Sequence, residues 1–186
     1  MGLNYYWCSY KGTLRLQDLD GIAIMRSFGL APFEIEVLYD LLSKVFSVQE
    51  EYETLDSNSS YVSIVEIHFP VPYNDSFFVL MSLDRWSKIK DVLKEMKRRR
   101  GGKGLKILLS FRGLSEELNT TILFSLQSGK GLSEFNNAIE KIEYLVDVIP
   151  LQVQDLIGKV EKIVYVYDES SYKWVPQLSR RNVDFP

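Results

Sequence analysis

The chain has 186 residues and a formal net charge of −3, with 46 % apolar and 25 % charged residues. That is the profile of an ordinary globular protein, and it excludes a disordered, fibrous or membrane-spanning chain. A single cysteine, Cys8, excludes an internal disulfide framework and an all-cysteine zinc site.

The start, Met1-Gly2-Leu3-Asn4-Tyr5-Tyr6-Trp7, lacks the basic opening and apolar core of a secretory signal. Gly2 is not followed by the Ser or Thr of a myristoylation signal. No stretch approaches the ~20 apolar residues of a membrane span. The expected setting is cytoplasmic, reducing and away from membranes.

In chain order, residues 3–26 read as β-rich: Tyr5, Trp7 and Tyr10, a Lys11-Gly12 turn, then Leu14 and Leu16 in alternation. Ala31-Pro32 opens a helix with Glu34 and Glu36 in its first turn, where the dipole favours anions. Val37, Leu38, Leu41, Leu42 and Val45 form its apolar stripe. The polar, acidic stretch 50–60 marks a boundary between an N-terminal extension (1–50) and a main domain (61–176), with a tail at 177–186. Residues 61–69 predict a strand, 70–75 a turn and 76–83 a second, nearly continuous apolar strand.

Asp84 is placed to cap a helix over 85–100, with Trp86, Ile89, Val92, Leu93 and Met96 on its inner arc and Gly101-Gly102 at its end. Strands follow at 105–112 and 120–126. Leu132, Phe135, Ile139, Ile142, Leu145 and Ile149 then mark an amphipathic helix stopped by Pro150. After a short helical piece at 151–157 come a strand at 162–167, a turn at 168–171 and a hairpin partner at 172–175.

From Ser76 onward this order is β-α-β-β-α-β, which predicts an α+β, ferredoxin-like sheet. Its strands are apolar on both faces, as in Phe77, Val79 and Met81 against Phe78 and Leu80. A second cover is therefore needed. Residues 1–50 are expected to supply it, or else a second copy in a homo-oligomer. Strand 61–69 has no position in this scheme.

The charge is unevenly placed. Eleven of the 22 Lys and Arg residues fall between Arg85 and Arg112, against Asp91 and Glu95 alone, so this stretch carries +9 and the rest −12. The candidate site is Lys90, Lys94, Lys97, Arg98, Arg99, Arg100, Lys103, Lys106 and Arg112. On the helical wheel Lys90, Lys94, Lys97 and Arg98 lie opposite the apolar arc, and the strip continues through a Gly-rich turn that lets a backbone approach phosphate. The first expectation is a small non-enzymatic protein contacting DNA or RNA phosphates there. The second is an assembly or adaptor subunit docking an acidic protein through the same strip. Cations in a last helical turn also serve the helix dipole with no ligand at all.

Ser128, Gly129, Lys130 and Gly131 form a strand-to-helix loop in the place of a P-loop, but the leading Gly and the hydroxyl after Gly-Lys are missing. A third expectation is an anion, a small ligand or an enzyme active site at this loop. His68, the only histidine, follows Glu66 on one strand face; the favoured reading is a structural histidine at a strand end, with a general-base pair as the alternative. A lone histidine makes no multi-His metal site, so neither metal nor cofactor is expected. Cys8 reads as a small packed apolar residue. RNA-recognition modules share the strand order, but strand 120–126 lacks their basic-Gly-aromatic pattern, which argues against base stacking on the sheet.

Overall fold

In a computed structural model, the described residues are 21–52, 61–101, 104–115, 120–127, 131–154, 156, 160–168 and 170–178. β1 (Ile22–Phe28) buries every second residue, Ala23, Met25 and Ser27, as a strand with one face on a core does. α1 (Pro32–Ser43) starts with Pro32 in its first turn and with Glu34 accepting the Ala31 N–H at 2.9 Å. A fixed φ and a carboxylate at the positive end both favour a start there. β2 (Ser47–Tyr52) returns parallel to β1, and β3 (Tyr61–Phe69) lies antiparallel on β1's other side.

Residues 75–81, expected as a strand within 76–83, form the helix α2 (Asp75–Met81). Asn74 Oδ1 accepts the Phe77 N–H, and Phe77, Phe78 and Met81 are buried at helical spacing. A short continuous apolar run suits either structure, and here the cap decides. Ser82, at φ 59°, breaks the chain and caps α3 (Leu83–Arg100) by accepting the Arg85 N–H. The helix therefore starts ahead of the expected Asp84 cap, and Gly101, at φ 54°, ends it.

β4 (Gly104–Phe111) runs parallel to β3, and β5 (Thr121–Gln127) antiparallel to β4. α4 (Leu132–Lys141), a 3₁₀ turn (Ile142–Leu145) and α5 (Val148–Val153) follow. Pro150 does not stop this run; it sits in the first turn of α5, where its missing N–H has no helical partner to lose. β6 (Lys162–Asp168) is parallel to β5, and β7 (Lys173–Leu178) antiparallel to β6, with Pro176 tolerated on that edge strand.

Among the described residues the strands form one seven-stranded mixed sheet in the order β2-β1-β3-β4-β5-β6-β7. The α+β class stands, but the sheet is larger than a ferredoxin-like one and differently ordered. With 75–81 helical, β3 becomes the partner of β4, and three β-α-β crossovers lie side by side: β1-α1-β2, β3-α2-α3-β4 and β5-α4-α5-β6. Of the segment 1–50 expected to cover the second face, the part from Ile22 onward enters the sheet as β1 and β2. Its helix, α1, packs against α3, as α4 does. The expected β-rich segment before Gly21 and the tail from 179 onward lie outside the described residues.

The core lies between sheet and helices. Phe69, Tyr73, Phe77, Trp86, Phe111 and Phe124 pack ring on ring, with Phe77 and Phe111 centroids 4.9 Å apart at 90°. Tyr73 Oη donates to Ile142 O, and burial pushes its phenol well above the ordinary range. The opposite sheet face carries Ile24, His68, Ser110, Leu123 and Val164 in one cross-strand row. Arg26, Glu66, Leu108, Ser125 and Val166 form the next. On this face Ser110, Leu123 and Ser125 are buried. Among the described residues no helix is long and apolar enough to cross a membrane.

Candidate functional site

The basic strip runs along α3 and into β4, and most of its cations are held by carboxylates or backbone of this chain. Lys90, expected to face solvent, is 6 % exposed. Its Nζ donates to Glu140 Oε2 at 2.6 Å and to Glu143 Oε2 at 2.8 Å. Burial alone would lower its pKa, but the two carboxylates outweigh burial and raise it. Lys94 pairs with Glu140 and, at 3.3 Å, with Asp91. Lys97 is 2 % exposed and donates to Gly101 O at 3.0 Å, and burial lowers its pKa.

Arg100 reaches the other way. Its guanidinium donates to Glu34 Oε1 and Oε2 at 2.9 and 2.6 Å, to Ser63 Oγ at 2.7 Å and to Gly29 O at 3.1 Å. It joins the end of α3 to the start of α1 and to β3. Arg98 and Arg99 share Glu95, at 2.6 and 2.7 Å, and Arg99 also lies 4.4 Å over the Phe33 ring. Arg98 and then Arg99 hold Glu95 at about 2. Lys106 sits over the Tyr61 ring, and Arg112 bonds Val71 O through its backbone N–H.

Lys90 and Lys97 are turned inward, not outward as a helical wheel places them. A helical wheel assumes one neighbour under one stripe, whereas α3 is flanked by α1 and α4. Positions opposite the apolar arc can therefore be covered too. Of the strip, Arg98 and Arg99 are the most exposed paired cations of the helix end, and Lys103 lies outside the described residues.

In the second candidate loop, Ser128, Gly129 and Lys130 also lie outside the described residues. Gly131 N-caps α4, and a Cβ there would collide with Glu134 Oε2. Glu134 thus lies beside Gly131 in the first turn of α4, whereas at α1 Glu34 accepts the Ala31 N–H.

His68 does not pair with Glu66. Its Nδ1 lies 2.8 Å from Ser110 Oγ, while Glu66 faces Arg26 at 3.6 Å. Burial lowers the His68 pKa, with Glu66 and Arg26 pulling in opposite directions. Ser110 is 5 % exposed. Among the described residues no group of three or more His, Cys, Asp or Glu side chains could hold a metal.

Sequence reasoning missed an apolar end of the helix layer. Val79, Leu80 and Leu83, from α2 and the start of α3, are 48–81 % exposed. Tyr144, Val148 and Leu151 are 39–78 % exposed. The segments that carry them meet along one seam, where Tyr73 bonds Ile142 O and Trp86 Nε1 donates to Glu143 Oε2 at 2.8 Å. Val148 and Leu151, three residues apart, share one face of α5, while Tyr144 belongs to the 3₁₀ turn before it. No family model matches the chain, no curated protein is similar to it, and no solved structure matches it.

Proposed function

We propose that this chain is a non-enzymatic assembly subunit that docks a protein partner through the apolar end of its helix layer. The observation that carries the reading is the exposure of Val79, Leu80, Leu83, Tyr144, Val148 and Leu151 around one seam. At 39–81 % exposure these side chains present on the order of 600 Å² of apolar area, the upper end of what a typical monomer leaves in water. A partner covering them gains roughly 25 cal/mol per Å² before the costs of association.

The phosphate-binding reading of the strip keeps one supporting observation: two exposed guanidinium groups, Arg98 and Arg99, share the single carboxylate of Glu95. It asks for more free cations than that, since several phosphate contacts are needed for appreciable non-specific affinity.

The two readings separate in a pull-down from native extract, with and without nuclease, using wild type, Leu83→Asp and the double variant Arg98→Ala/Arg99→Ala. The assembly reading expects a nuclease-resistant protein lost with Leu83→Asp and kept with the arginine variant. Captured nucleic acid lost with the arginine variant favours the phosphate reading. Capture unchanged by either substitution removes both surfaces from consideration.

A further inference from the structure

We infer that the occupant of the apolar end is a second copy of this chain, in a two-fold dimer that sets Val79, Leu80 and Leu83 of one protomer against Tyr144, Val148 and Leu151 of its partner. This rests on the assembly reading above and adds the identity of the partner.

Two features point to self-association. The first is area. A patch on the order of 600 Å² is most of the ~800 Å² that each side contributes to a standard protein interface, so a copy of the same patch nearly completes one. The second is charge. The residues beside them in the chain carry both signs: Asp75, Asp84 and Asp147 against Arg85 and Lys88, with Lys88 already 2.7 Å from Asp84. A rim of one sign would repel its own copy, whereas a mixed rim permits opposite charges to meet across a two-fold axis. An isologous contact also requires that if residue i meets j, then j meets i. Two apolar sets flanking one seam satisfy this, because either set meets an apolar surface.

The test uses the full chain in sedimentation velocity and light scattering over about 1 to 100 µM, since a dimer held by mass action responds to concentration. Wild type is expected to reach the dimer mass at the upper end. Leu83→Lys and Leu151→Asp, both at exposed positions, are each expected to stay monomeric and to melt cooperatively, at midpoints that do not depend on concentration. Mixing the two variants is expected to restore a dimer, because one contact then pairs Lys with Asp while its symmetry mate keeps Leu against Leu. Arg98→Ala/Arg99→Ala is expected to dimerise like wild type.

A monomeric wild type overturns the inference. It leaves the assembly reading intact if extract capture remains sensitive to Leu83, and removes both if it does not. A dimer unaffected by either single variant places the interface elsewhere and also overturns it. Variants that are monomeric alone and remain so when mixed overturn the cross-seam pairing.

Discussion

Lys90 keeps its charge at a nearly water-free position because Glu140 and Glu143 both meet its ammonium. Removing the lysine leaves Glu143, which also accepts the Trp86 indole N–H, without its cation, and leaves Glu140 with Lys94 alone. Lys90→Ala is therefore expected to cost about 1–3 kcal/mol, the range for stranding a covered polar partner. Leu93→Ala, a fully buried neighbour, should cost about 2–5 kcal/mol through cavity formation. Lys88→Ala, at an exposed pair, should stay within about 0.5 kcal/mol. Urea melts of the three variants check the order; Lys90 behaving like Lys88 would remove the clamp between α3 and α4. Glu34 gives the pH counterpart. Burial alone would raise its pKa, but the Arg100 and Ala31 bonds outweigh burial and lower it. A depressed carboxylate contributes stability that is fully present above its unfolded pKa, ordinarily near 4.5, and lost as pH falls through the folded value. Glu34→Gln should thus lower stability at pH 7 and flatten its decline below pH 4.5. A decline as steep as wild type would mean that the Arg100–Glu34 pair is not what acid removes. That the strip was basic could be read directly, but its acidic partners Glu34, Glu140 and Glu143 are distant in sequence, and nothing in local spacing brings them to it.

The elements divide according to how local their causes are. α1 and α3 were legible because Pro32, Glu34 and Gly101 are punctuation at their ends and their apolar residues repeat with helical period. α2 was not, because Phe77-Phe78-Val79-Leu80-Met81 is apolar at every position and gives neither a period of two nor one of 3.6. Its decisive residue is Asn74, whose Oδ1 caps the helix while its Nδ2 donates to Leu114 O at 3.3 Å. Asn74→Ala should cost about 1–2 kcal/mol, and raise amide exchange first at Phe77, if the cap selects helix over strand. Unchanged exchange there would show that burial of Phe77 and Phe78 alone sets the conformation. At the β1–α1 turn, Gly29 sits at φ 63° with Val62 O directly behind its α-carbon. Alanine there meets both an unfavourable backbone conformation and a carbonyl on a neighbouring strand. Gly29→Ala should therefore cost at least about 2 kcal/mol by thermal melt, and a loss under about 0.5 kcal/mol would mean the turn relaxes freely.

At the scale of the molecule, the boundary expected at the polar stretch 50–60 meets a sheet that continues across it. β1 lies between β2 and β3 with six and five residue pairs in register on its two sides. α1 is tied to α3 through Arg100 and Glu34. Sequence composition registers the polarity of a connection but not what lies on either side of it in space, so a connection inside one sheet resembles a linker between two units. A fragment of residues 55–186 would lose both strands and α1. It would bare β3, nine residues long and rich in β-branched side chains, as a new edge; such an edge is a template for pairing with other chains. It would also leave Arg100 without Glu34 and uncover Val65 and Ile67 of the core. The fragment is expected to aggregate or to melt without a cooperative transition, while the full chain melts in one step. Size-exclusion chromatography and a denaturant titration of the two decide the matter. A 55–186 fragment that is monomeric and unfolds cooperatively would show that five strands suffice, and that β1, α1 and β2 are an addition to the sheet, not part of what holds it together.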